Sequence, residues 1–179
     1  MTLSDKKTEY IYKGKKINLR LARLKLPDGR SAFREVVEHR GSVAIIPLLD
    51  DGRIVLLRQY RPVIGEWILE IPAGTIEPGE RPHECALREL EEETGYRAGK
   101  ITKLLEFYVS PGYTTEKIYL YKAENLQKTK PRPEPYEFLE IVELTLSDAL
   151  DKILNGDIRD AKTIIALLYL AYYEREKTT

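Results

Sequence analysis

Cysteine and histidine are nearly absent from this chain of 179 residues: one Cys, Cys85, and two His, His39 and His83. A single cysteine excludes an intrachain disulfide and any zinc site built from cysteines. It fits a reducing compartment, so a cytoplasmic location is expected. An excess of charge is also missing. Lys+Arg and Asp+Glu both number 29, and the formal net charge is zero. The basic footprint of a nucleic-acid or membrane-surface binder is therefore not expected. Long apolar runs are lacking too. The longest, Thr163 to Tyr173, is too short to span a bilayer. Met1 to Lys7 is polar, unlike the apolar stretch of a signal peptide. With only 11 Gly and 10 Pro, the composition excludes collagen-like and low-complexity chains.

What remains is a globular composition, 42% hydrophobic and 32% charged, long enough to bury a core without staples. Residues 8–26 read as strand, with Ile17, Leu19 and Leu21 at period two and a one-residue shift before Leu24 that suggests a bulge. Pro27-Asp28-Gly29 signals a turn, and Ala32 to Glu38 a returning strand. Further strands are predicted over Ser42–Leu49, Ile54–Gln59, Trp67–Ile71, Ile101–Val109, Lys117–Lys122 and Phe138–Leu144. Pro72 to Gly79 and Lys128 to Pro135 read as loops. Helices are predicted over Pro82–Glu93 with Gly95 as its cap, from a cap at Ser147 through Leu154, and over Arg159–Glu174. The mixture predicts an α+β fold with helices on a mixed sheet.

The first helix breaks electrostatic rules. Ala86, Leu87 and Leu90 share an arc that should face the core. Glu89, Glu92 and Glu93, at i, i+3 and i+4, share the neighbouring arc near the helix C-terminus, where the dipole disfavours anions and like charges repel. Either this is a solvated acidic face, or the three carboxylates serve a hard divalent cation. The preceding loop, Pro72 to Gly79, holds two glycines and two prolines and can bring backbone groups close to a ligand.

The segment runs Gly74, five residues, Glu80, seven residues, Arg88-Glu89-Leu90, Glu91, Glu92-Glu93, Thr94, Gly95, Tyr96. It resembles the Nudix box, G-x5-E-x7-R-E-U-x-E-E-x-G-U with U bulky and apolar, at every fixed position. Flanking motifs resemble the ADP-ribose pyrophosphatase subgroup of Nudix hydrolases. They are Arg58-Gln59-Tyr60-Arg61, Glu70-Ile71-Pro72-Ala73-Gly74, Ser110-Pro111-Gly112 with Pro111 15 residues past the box, Glu137 to Glu143, and Ile158 to Thr163.

The resemblance implies an α/β/α sandwich with a mixed sheet. An N-terminal antiparallel β-hairpin subdomain (1–40), expected to dimerise, would precede the hydrolase domain (41–179). It implies Mg²⁺-dependent hydrolysis (Mn²⁺ as a substitute) of a small nucleotide substrate, ADP-ribose, to AMP and ribose 5-phosphate, by a homodimer with no nucleic-acid or membrane partner. Carried over by position, Glu89, Glu92, Glu93 and the carbonyl of Ala73 would hold metal, while Glu80 and Arg88 organise loop and helix. Arg61, Arg58, Arg34, Glu70, Ser110 and Gly112 would contact substrate. The water-activating carboxylate would be Glu137, with Glu134 as runner-up and box residues Glu92 or Glu93 as a further possibility. Two alternatives stand beside this reading: a pyrophosphatase of another nucleotide, such as another ADP-sugar, a dinucleotide or a nucleoside triphosphate, and an idle ADP-ribose-sensing module.

Overall fold

Three antiparallel strands open the structure: β1 (Glu9–Lys13), β2 (Ile17–Lys25) and β3 (Ser31–His39). The computed structural model describes residues 9–178, and side chains through Tyr173. The polar start Met1 to Lys7 lies outside the described residues. The predicted N-terminal hairpin is thus a three-stranded sheet. Its irregularity sits on β1, between Tyr10 and Tyr12, rather than near Leu24, because β2 and β3 pair without a break from Ile17–His39 to Lys25–Ser31.

The rest of the chain builds two further sheets. In one, β7 (Ala73–Thr75), β4 (Ser42–Pro47), β9 (Lys117–Lys128) and β8 (Tyr96–Tyr108) lie side by side, with β4 and β9 parallel. In the other, β10 (Leu139–Leu144), β5 (Ile54–Arg61) and β6 (Glu66–Glu70) are antiparallel. The helices are α1 (Pro82–Thr94), α2 (Leu146–Leu154) and α3 (Ala161–Thr178).

Period-two alternation divides the core. On β4, Val43 and Ile45 join the cluster beneath α1, with Cys85, Ala86 and Leu90. Ala44 and Ile46 turn to the opposite face, where Ala149 of α2 and Ala166, Leu167 and Leu170 of α3 cover them. Both faces of the central strand are apolar because both are covered. The result is the expected α/β/α sandwich, α+β in class.

Several boundaries move. Residues 73–75, predicted as loop, form β7, because Ala73 pairs with Ala44 at the sheet edge. The α2 cap is Thr145, not Ser147: its side chain accepts the Asp148 N–H. On α1, Leu87 is only half-buried, and Cys85 completes the core-facing arc instead.

Candidate active site

The box is a strand, a tight loop and a helix. Helix α1 starts with Pro82 in its first turn, and the Glu84 carboxylate accepts the Arg81 backbone N–H at 3.0 Å. It ends at Gly95, whose φ of 67° is left-handed. A second constraint acts there, since a Cβ on Gly95 would stand 2.6 Å from Pro131 Cδ. The loop after β9 docks at this point. Thr129 N–H donates to Gly95 O at 2.6 Å, and Arg132 N–H to Glu92 O at 2.7 Å. This docking carries Glu134 and Glu137 to the end of α1.

Arg88 ties the loop to the helix. Its Nε and NH2 groups reach both oxygens of Glu80, at 2.8 and 3.1 Å, and NH1 reaches Glu89 at 2.8 Å and Glu92 at 3.0 Å. Glu80 in turn accepts the Glu77 N–H. The Arg88 hydrogen bonds hold the Glu80 carboxyl down to about 2.

The three box carboxylates differ in exposure: the Glu92 side chain is 40% exposed, Glu89 14%, and residue Glu93 only 4%. Burial, then the Glu89 charge, holds Glu93 well above the usual carboxylate range, against the Ala73 N–H that its Oε2 accepts at 3.0 Å. Burial raises Glu89 as well, with Glu92 and Glu137 adding repulsion. Glu89 lies directly on the loop backbone: a Cβ on Gly74 would fall 2.0 Å from its carboxylate carbon. A side chain at position 74 would have to displace the Glu89 carboxylate.

Arg88, Glu89, Glu92 and Gly74 line a cleft of about 300 Å³, and Glu93 lies buried behind them. Arg61, Ala73, Gly74, Glu89, Glu92, Glu134 and Glu137 all border it. Among the described residues no three acidic, His or Cys side chains stand together as a finished metal cage. Arg88 stands between Glu89 and Glu92 instead. The donor chemistry nevertheless fits a hard divalent ion. The donors are all oxygen, two of the carboxylates are desolvated and mutually repelling, and Mg²⁺-type ions use one or two carboxylates and keep several waters.

Other predicted substrate residues lie elsewhere. Glu70 is neither a surface residue nor free for a sugar: it is 1% exposed, and its oxygens take Arg61 Nε at 2.6 Å, Arg61 NH2 at 2.8 Å, and Lys162 Nζ. Arg58 points away from the cleft, pairing with Glu140 at 2.8 Å and stacking 4.6 Å over Trp67, because β5 alternation sends it opposite to buried Gln59. Arg34 is exposed on β3 and donates to Phe33 O, outside the cleft lining. Ser110 and Gly112 also lie outside it, on a loop pinned to β3 by Val37 N–H to Tyr113 O and Thr115 N–H to Val37 O. Lys162 also lines the cleft, a residue the sequence alone does not single out. The motif Ile158 to Thr163 was its only signal.

Residues 38–167 match the NUDIX domain family. The chain belongs to the NUDIX family. It is 44% identical over 168 residues to an ADP-ribose pyrophosphatase of Bacillus subtilis, covering 93% of this chain and 91% of that protein. It is 43% identical over 173 residues to a methanol dehydrogenase activator of Bacillus methanolicus, covering 96% and 94%. A solved ADP compounds hydrolase shares the NUDIX fold at a TM-score of 0.79 and 24% identity, over 96% of each chain. NUDIX hydrolases generally use divalent metal ions.

Proposed function

We propose that this NUDIX hydrolase cleaves the diphosphate of ADP-ribose to AMP and ribose 5-phosphate, with Mg²⁺ as its ion and Mn²⁺ as a substitute. The observation that carries the reading is the buried, mutually repelling pair Glu89 and Glu93 beneath a cleft that also holds Arg61 and Glu137. The 44% identity to an ADP-ribose pyrophosphatase supports the substrate.

Glu89, Glu92, Glu93 and the Ala73 carbonyl would hold the ion. When bound, it neutralises diphosphate charge and acidifies water. Arg61 commits Nε and NH2 to Glu70 and keeps NH1 for a phosphate oxygen. Glu137 orients a water and takes its proton as the new P–O bond forms and the bridging P–O bond breaks. Glu137 is preferred to Glu134 because its charge is felt by both Glu89 and Glu93.

Two raised carboxyls make ion binding a proton-linked event. Calorimetry of Mg²⁺ binding in buffers of different ionisation enthalpy should show proton release, and the affinity should rise with pH through the elevated range of Glu89 and Glu93. Uptake of protons would contradict the assignment. The function itself is tested by incubating the protein with ADP-ribose and Mg²⁺ and looking for AMP. Binding without turnover would favour a sensing module, and turnover of nucleoside triphosphates alone a sister pyrophosphatase. The same reading includes a cytoplasmic homodimer assembled through the N-terminal sheet, which exposes Tyr10, Ile11, Tyr12, Ile17 and Leu24. Light scattering should then give twice the chain mass of 20.7 kDa.

A further inference from the structure

The first turn of α3 enters the cleft through one side chain. Asp160 holds that turn, accepting the Thr163 N–H at 3.0 Å and the Thr163 hydroxyl at 2.6 Å. Thr163 Oγ1 in turn accepts the Ile71 N–H at 2.9 Å, so α3 is fastened where β6 leads into the box. Lys162 therefore projects at a fixed place, its side chain 13% exposed. Its ammonium meets Glu70 and lies 3.0 Å from Asp160 Oδ1.

Glu70 thereby holds two cations at once, Arg61 on one side and Lys162 on the other. Burial works against the Glu70 charge, yet Arg61 and Lys162 outweigh it and hold the carboxyl below its ordinary range. An ammonium has three donors. Two face Glu70 and Asp160, and the third is left for the cleft that Lys162 lines beside Arg61. A pair of cations side by side at a cleft matches two linked phosphates.

We propose that Lys162 is a second diphosphate-binding cation, set beside Arg61 by their shared carboxylate Glu70. The proposal rests on the diphosphate substrate argued above and deepens it. The test compares Lys162→Gln and Lys162→Arg with wild type, using KM for ADP-ribose and calorimetric Kd values for inorganic pyrophosphate and for adenosine. Lys162→Gln should raise KM and weaken pyrophosphate by about tenfold to a hundredfold, the range of one charge-assisted hydrogen bond, and leave adenosine unchanged. Lys162→Arg, which keeps the charge, should bind pyrophosphate more tightly than Lys162→Gln. Unchanged pyrophosphate affinity in Lys162→Gln overturns the proposal, as does equal weakening of adenosine or equal weakness in both variants. If wild type binds pyrophosphate but fails to cleave ADP-ribose, the substrate reading fails while the pyrophosphate comparison still decides Lys162. Melting curves of both variants identify a folding defect, and where Lys162→Gln has one, Lys162→Met takes its place in the same comparison with Lys162→Arg.

Discussion

Glu93→Gln should lower kcat by about a thousandfold or more and, in metal-free protein, raise the melting temperature. The first effect follows from losing a charge that would hold the ion, whose Lewis-acid role contributes several kcal/mol. The second follows from burial. Glu93 is 4% exposed, and desolvation together with Glu89 resists its ionisation. A carboxyl whose pKa is higher folded than unfolded contributes stability that is present at low pH and lost as pH rises through the folded value. Glutamine keeps an oxygen for the Ala73 N–H without the charge. A gain of about 1 kcal/mol corresponds to about 2–4 °C for a chain of this size. It should fade as the pH is lowered and again when Mg²⁺ saturates the wild type. Differential scanning calorimetry across a pH series, with and without Mg²⁺, reads both trends. A variant that is less stable at neutral pH without metal, or fully active with it, would remove Glu93 from the ion site.

Glu137→Gln should lower kcat by about a hundredfold to ten-thousandfold, the contribution of a positioned general base, with KM for ADP-ribose nearly unchanged. Glu134→Gln should stay within a few-fold of wild type. Glu134 is exposed, and its backbone N–H, not its carboxylate, meets the Glu137 carboxylate at 3.0 Å. Steady-state kinetics on the two variants separates them. A full-rate Glu137→Gln moves the base elsewhere, to Glu134 or to a box glutamate.

How far the sequence could be read depended on where each residue's partners lie. The box helix was legible because its apolar period, its first-turn proline and Gly95 are local signals. Spacing places Leu87 on its core arc, whereas packing under β4 buries Cys85 there instead. Glu70 was hidden for a different reason. It ends a strand that starts exposed at Glu66 and Trp67, and its second partner, Lys162, lies 92 residues later. Strand β7 was hidden by Pro and Gly in its segment. Only the edge of β4, itself non-local, makes those residues extended. The choice between Glu137 and Glu134 needed the distance of each charge from α1, which spacing along a loop does not carry.

The anchoring of the late loop on α1 has one more consequence. Thr129 and Arg132 are held through main-chain N–H groups, and the side chains there contribute nothing to those bonds. The register of this loop on α1 is therefore set by chain length. Adding or removing one residue between Arg132 and Glu137 would shift the proton acceptor by one chain step, about 3.5 Å, and break its alignment.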